Sequence, residues 1–203
     1  MKKEQIGLES FKEKVTIEIL RQDAEKIYIA NNNSDYISYP EFLKYFADLE
    51  TITKHDVIIG INFSYGWMPT MFDFRSDNFN EVVDILNRAK QGQIPTETEL
   101  EVLKKCFNNS LVGTSKLLHF INPNKFTIWD SRVLGYLTNH KSNSYRLNKP
   151  RLYLDFLEFC KYITSQSGYN EIHNSILKKI NHGEMTKYRT VELIMYETMK
   201  KES

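Results

Sequence analysis

The chain is short of the residues that punctuate β-structure. It has 8 glycines and 5 prolines in 203 residues, too few turn formers for a fold of many short strands, and long helices are the expected alternative. Its 2 cysteines, Cys106 and Cys160, stand far apart in apolar surroundings and in neither CxxC nor Cys/His spacing. That excludes a disulfide framework, and both read as buried thiols. No uninterrupted apolar run reaches the roughly eighteen residues of a membrane span, and the opening MKKEQIGLESFKEK lacks the apolar stretch of a signal peptide. A cytoplasmic protein without a membrane partner is therefore expected. A glycine-rich phosphate loop, a GxSxG elbow, an HExxH pair and EF-hand spacing are all missing, which removes kinases, P-loop nucleotidases and zinc hydrolases.

What is present describes a folded chain. Hydrophobic residues make up 41% and aromatics 13%, with 12 Phe and 12 Tyr, enough to fill one core in a chain of 24.0 kDa. Thr96 followed by Glu99 is a capping box that opens a helix running to about Phe107. Thr53 and Asp56 open another, apolar almost all round from Val57 to Tyr65 and so expected at the centre, with Pro69 limiting it. Further helices are predicted near 9–31, 40–49, 78–91, 113–121, 130–139, 150–165, 169–181 and 184–201, with Pro40 and Pro150 in first turns. The only strand candidates are Val57 to Ile61 and Phe126 to Trp129. An all-α orthogonal helical bundle follows, a single domain over 1–203 in which a lobe of residues 1–95 packs on a lobe of residues 96–203.

The net charge of +1 conceals an asymmetry. From Lys104 to Arg151 stand nine basic residues (Lys104, Lys105, Lys116, Lys125, Arg132, Lys141, Arg146, Lys149 and Arg151) against one acid, Asp130, a net of +8. The rest of the chain holds 18 basic and 25 acidic residues, a net of −7. A polyanion such as DNA is the partner this pattern suits, because phosphate contacts dominate affinity for DNA. The alternative is cations dispersed over solvated surfaces and paired with acids from elsewhere. Tyr136 and Tyr145 lie among the cations and offer rings on which bases can stack.

Chemistry is expected between Asn109 and Val133. A helix ending near Asn108, a polar turn and a helix starting around Gly113 outline a helix-hairpin-helix, whose open N–H groups beside an unencumbered glycine can approach a phosphate. Lys116 then falls in a first turn, where the helix dipole favours the neutral amine over the ammonium. Asp130 follows across the Pro123 turn, at the start of a further helix. It reads as an N-cap, as a catalytic carboxylate, or as both, since a cap is rigidly held.

The pattern Gly113-Thr-Ser-Lys116 followed by Phe126-Thr-Ile-Trp-Asp130-Ser-Arg132-Val133 resembles the helix-hairpin-helix DNA glycosylases, especially the 8-oxoguanine glycosylase-like group. The resemblance implies that Lys116 attacks the sugar C1′, that Asp130 assists, and that Arg132 holds phosphate. It also implies a duplex DNA partner. The spacing of Lys116 and Asp130 around the Pro123 turn predicts that the two side chains converge on one cleft, and no cofactor is expected. Gly113, Lys141, Arg146 and Arg151 are the further candidates for DNA contact. His119, one turn after Lys116, is a candidate for the base pocket together with Trp67 and Trp129; a hydrogen-bonded core histidine and an aromatic plug at the end of a helix are the alternatives for His119 and Trp67. His55, His140, His173 and His182 show no metal-ligand spacing, and no metal is expected. The competing functional class is a non-catalytic nucleic-acid-binding or protein-interaction module.

Overall fold

The computed structural model of the chain describes residues 6–29, 34–66, 78–139, 143–180 and 185–200. Among them are twelve α-helices and no strand: α1 (Leu8–Lys14), α2 (Ile17–Lys26), α3 (Ser34–Asp48), α4 (Lys54–Gly66), α5 (Phe79–Lys90), α6 (Glu97–Lys104), α7 (Leu111–Ile121), α8 (Ser131–Thr138), α9 (Ser144–Leu147), α10 (Pro150–Thr164), α11 (Tyr169–Leu177) and α12 (Lys187–Lys200). The fold is all-α. Val57 to Ile61 lies inside α4, and Phe126 to Trp129 is in neither a helix nor a strand. Among the described residues no helix is long and apolar enough to cross a membrane.

The chain divides into two compact units, one of residues 1–31 with 129–203 and one of residues 32–128. This differs from the expected boundary near residue 95. The physical reason lies in α1 and α2, which pack against helices from the far end of the sequence: α1 on α10 and α8, α2 on α11 and α12. Phe11 meets Phe159 edge-on at 6.3 Å. The Lys179 ammonium donates to the carbonyls of Ala24, Glu25 and Ile27 at 2.7, 3.0 and 3.1 Å, which satisfies acceptors left open where α2 ends. The single helix expected over 9–31 is two, because Thr16 turns its hydroxyl to the Ile19 N–H at 3.4 Å and caps α2.

In the unit of residues 32–128, α7 rather than α4 is central, touching α3, α4, α5 and α6. Nine of its eleven residues are buried, the signature of a helix enclosed on all sides. α4 crosses it closely at Gly60, where a Cβ would stand 2.6 Å from both Leu117 and Phe46. Pro40 sits inside α3, whose helix starts earlier than 40; the aromatic face of Phe42, stacked on Phe63 at 4.4 Å and meeting Phe120 at 5.3 Å, offsets the backbone bond that a proline removes. Tyr45 donates to Asp56 at 2.6 Å, and burial, then this carboxylate, pushes its phenol up to about 12.

In the other unit α12 packs on α8, α2, α10 and α11. Cys106 and Cys160 are free and buried, and burial, then the nearby Glu192, pushes the Cys160 thiol well up, which keeps it protonated and inert. His173 on α11 meets the Thr190 hydroxyl at 2.8 Å; burial, then Lys187, lowers its pKa below the usual histidine value. The unfolded chain therefore binds this proton at a higher pH than the folded one. His173 contributes stability that is complete above about pH 6.5 and is lost as pH falls through the folded value. Thermal melting followed across this range should show a steeper decline toward acid for the wild type than for His173→Gln, and equal slopes would show that His173 does not carry the effect.

Candidate functional site

The hairpin is built by two capped helices and a left-handed turn. In α6 the Thr96 hydroxyl accepts from the Glu99 N–H at 3.2 Å while the Glu99 carboxylate accepts from the Thr96 N–H at 2.7 Å. This N–H, then Arg88 at 2.8 Å, holds Glu99 below the usual carboxylate range. A 3₁₀ turn, Lys105–Phe107, follows. Asn108 and Asn109 then take φ of 50° and 59°, a conformation that asparagine tolerates better than most residues. The Asn109 N–H reaches the Lys104 carbonyl at 2.9 Å and the Ser110 N–H that of Phe107 at 2.8 Å, closing the turn.

Two local expectations change here. The second helix begins at Leu111, not around Gly113, and the Gly113 N–H is taken by the capping Ser110 hydroxyl at 3.4 Å. A Cβ at 113 would lie 2.5 Å from the Phe107 ring, so the close approach that demands glycine is to a phenyl group. Lys116, half-buried, is the sixth residue of α7. The dipole acts mainly within the first turn, so it does not supply the expected bias toward the neutral amine.

His119 is fully buried, 0% exposed. Its Nδ1 faces the Phe126 carbonyl at 2.8 Å and its Nε2 the Tyr39 hydroxyl at 2.7 Å, with the Tyr39 ring stacked 5.7 Å away. A carbonyl can only accept, so Nδ1 carries the hydrogen, and in the neutral ring Nε2 accepts from Tyr39. The histidine thus fastens the chain after α7 to α3 and leaves no open surface for a base. Asn122 works beside it, donating to the carbonyls of Ala89 and Lys90 at 3.4 and 3.0 Å.

Asp130 is the N-cap of α8, its Oδ1 accepting from the Val133 N–H at 2.9 Å, and it is half-buried. Trp129 before it is 0% exposed. Its indole N–H donates to the Leu147 carbonyl at 2.9 Å and its ring packs on Phe156 and Tyr153 at 5.3 and 6.5 Å; like His119 it is a core group in place of a pocket wall. The Arg132 guanidinium lies over the Tyr196 ring at 4.6 Å. Lys116 belongs to the unit of residues 32–128 and Asp130 to the other.

The cations divide likewise. Lys104, Lys105, Lys116 and Lys125 fall in residues 32–128; Arg132, Lys141, Arg146, Lys149 and Arg151 fall in the other unit, which holds 18 basic and 14 acidic residues against 9 and 12. Lys104 is buried, 6% exposed, with its ammonium 2.9 Å from both Glu101 oxygens, and is neutralised there. The spacing carried that signal, since Glu101 precedes Lys104 by one helical turn. Arg151 is exposed and pairs with Asp155 at 3.2 Å. Lys149 lies over the exposed Tyr145 ring at 4.3 Å. Trp67 and Lys141 lie outside the described residues. Among the described residues no three His, Cys, Asp or Glu side chains gather to hold a metal ion. The chain matches no protein-family model, no curated protein and no solved structure.

Proposed function

We propose that the chain is a DNA glycosylase-like protein that binds duplex DNA and excises a damaged or modified base, with Lys116 as nucleophile and Asp130 as the assisting carboxylate. The observation that carries the reading is Asp130 itself. It is the sole acid among nine cations, it is fixed by the Val133 N–H at 2.9 Å, and Arg132 stands two residues on in the same helix. A carboxylate so placed repels DNA little and is held still for an electrostatic task.

The reaction starts with rotation of the nucleotide out of the stack, at a cost of a few kcal/mol. Once the Lys116 ammonium has given up a proton its amine attacks C1′, the glycosidic bond breaks, and the base leaves with the electron pair and takes up a proton. The Asp130 carboxylate opposes the positive charge that develops on the sugar. Ring opening converts the C1′ amine to an imine, from which strand scission can follow. The test is incubation with abasic or modified-base DNA and borohydride. A covalent adduct supports the enzyme. Salt-sensitive binding without an adduct supports the second reading, a binding module in which Asp130 acts only as the cap seen at α8.

The cationic segment makes its own prediction. Replacing Lys141, Arg146 and Arg151 by alanine should weaken DNA binding evenly across sequences and flatten its salt dependence. Removing one phosphate-binding cation lowers the slope of log K against log salt by about one unit. Binding titrations over a salt series measure it, and an unchanged slope would remove these residues from the DNA interface.

A further inference from the structure

We infer that Tyr145 is an aromatic platform for an unpaired nucleic-acid base, with Arg146 and Lys149 meeting the phosphates beside it. This rests on the nucleic-acid part of the reading above and not on its lysine chemistry.

Two tyrosines lie in the cationic segment, and their surroundings differ. Tyr136 is 9% exposed and donates to Asp23 at 2.7 Å, so its ring and hydroxyl both belong to the interior. Tyr145 is 73% exposed. An aromatic ring left in water forgoes its burial free energy, and this one is held out from a braced element. The Asn143 side chain accepts from the Arg146 N–H at 2.8 Å, and the Leu147 and Asn148 N–H groups bond back to Asn143 and Ser144 at 3.0 and 3.1 Å. The Leu147 carbonyl takes the indole N–H of the buried Trp129 at 2.9 Å. The short helix α9 is thereby fastened to the same Trp129 that precedes Asp130.

The chemistry around the ring selects the ligand. No acidic residue occurs from Ser131 to Leu154, the next one, Asp155, pairs with Arg151 at 3.2 Å, and Lys149 places its ammonium 4.3 Å from the ring centroid, over one face. In the segment 143–151 Tyr145 is the sole exposed large hydrophobic residue, so there is no aliphatic patch of the kind a protein partner buries. A flat neutral group carried on a polyanion fits both features: the base stacks on the ring and the phosphates approach the cations. Bases inside a duplex are already stacked on each other, so the ligand is a base without a partner, in a single strand or at a disrupted step.

The test uses the full chain with a short single-stranded oligodeoxynucleotide and with the same sequence fully paired, titrated over a salt series. Tyr145→Ala should weaken the single strand by about tenfold to a hundredfold, leave the duplex nearly unaffected, and leave the salt slope unchanged, because stacking on a ring releases no counterion. Tyr145→Phe should bind as the wild type does. Lys149→Ala should lower both affinity and slope. The inference is overturned if the wild type does not bind the single strand, if Tyr145→Ala binds it unchanged, or if Tyr145→Phe falls as far as Tyr145→Ala. Loss of binding in Tyr145→Ala without any borohydride adduct in the wild type keeps the platform and sinks the glycosylase; an adduct with binding unchanged in Tyr145→Ala does the reverse.

Discussion

Lys116→Gln is expected to abolish borohydride trapping and base excision while DNA affinity falls only slightly. Glutamine keeps a polar side chain of similar reach but has no amine, so it can form neither the bond to C1′ nor the imine that borohydride reduces. Because Lys116 is half-buried on the enclosed helix α7, the melting temperature of Lys116→Gln is measured alongside and trapping is read per folded molecule. At most one phosphate interaction disappears, which would lower the salt slope by about one unit. Trapping is the larger effect, total where binding is partial. Persistence of the adduct in Lys116→Gln would transfer the nucleophile to another lysine, with Lys105 and Lys125, both exposed, the next to test.

The pattern of elements was legible where the signal is local. The Thr96 and Glu99 box, Asp130 ahead of α8 and Pro150 at the first position of α10 all stand where short-range chemistry puts them. Signals that depend on distant partners were not legible. Thr16 interrupts an apolar-periodic stretch because α1 and α2 bury their faces against different helices, and α3 continues across Pro40 because its aromatic face is held by α4 and α7. The same division runs through the site. The cation run is countable in the sequence, but the burial of Lys104 beside Glu101 requires the fold. Gly113 and His119 read as ligand-facing because glycine and histidine suit phosphates and bases; the structure gives them a phenyl ring, a hydroxyl and a carbonyl instead. Tyr136 and Tyr145 both lie among the cations, but Tyr136 stands in the apolar run Val133 to Leu137 and Tyr145 in a polar one; the fold buries the first and pairs it with Asp23, 113 residues away in the chain.

Asp130→Asn separates the two roles of the carboxylate. Asparagine caps a helix about as well as aspartate, so the Val133 N–H, now 2.9 Å from Oδ1, keeps an acceptor and the melting temperature should stay near the native value. The charge is removed. If Asp130 opposes a cationic sugar, single-turnover excision should fall by about 10² to 10³, the usual effect of deleting one such electrostatic interaction. Asp130→Ala is the complementary variant, since it deletes cap and charge together and should cost about 1 kcal/mol of stability in addition to the same drop in rate. The comparison is read per folded molecule. A stable Asp130→Asn protein with strongly reduced excision assigns the carboxylate to the chemistry. Full excision by that protein, with destabilisation confined to Asp130→Ala, makes Asp130 a helix cap and nothing more, and Lys116 would then act without it.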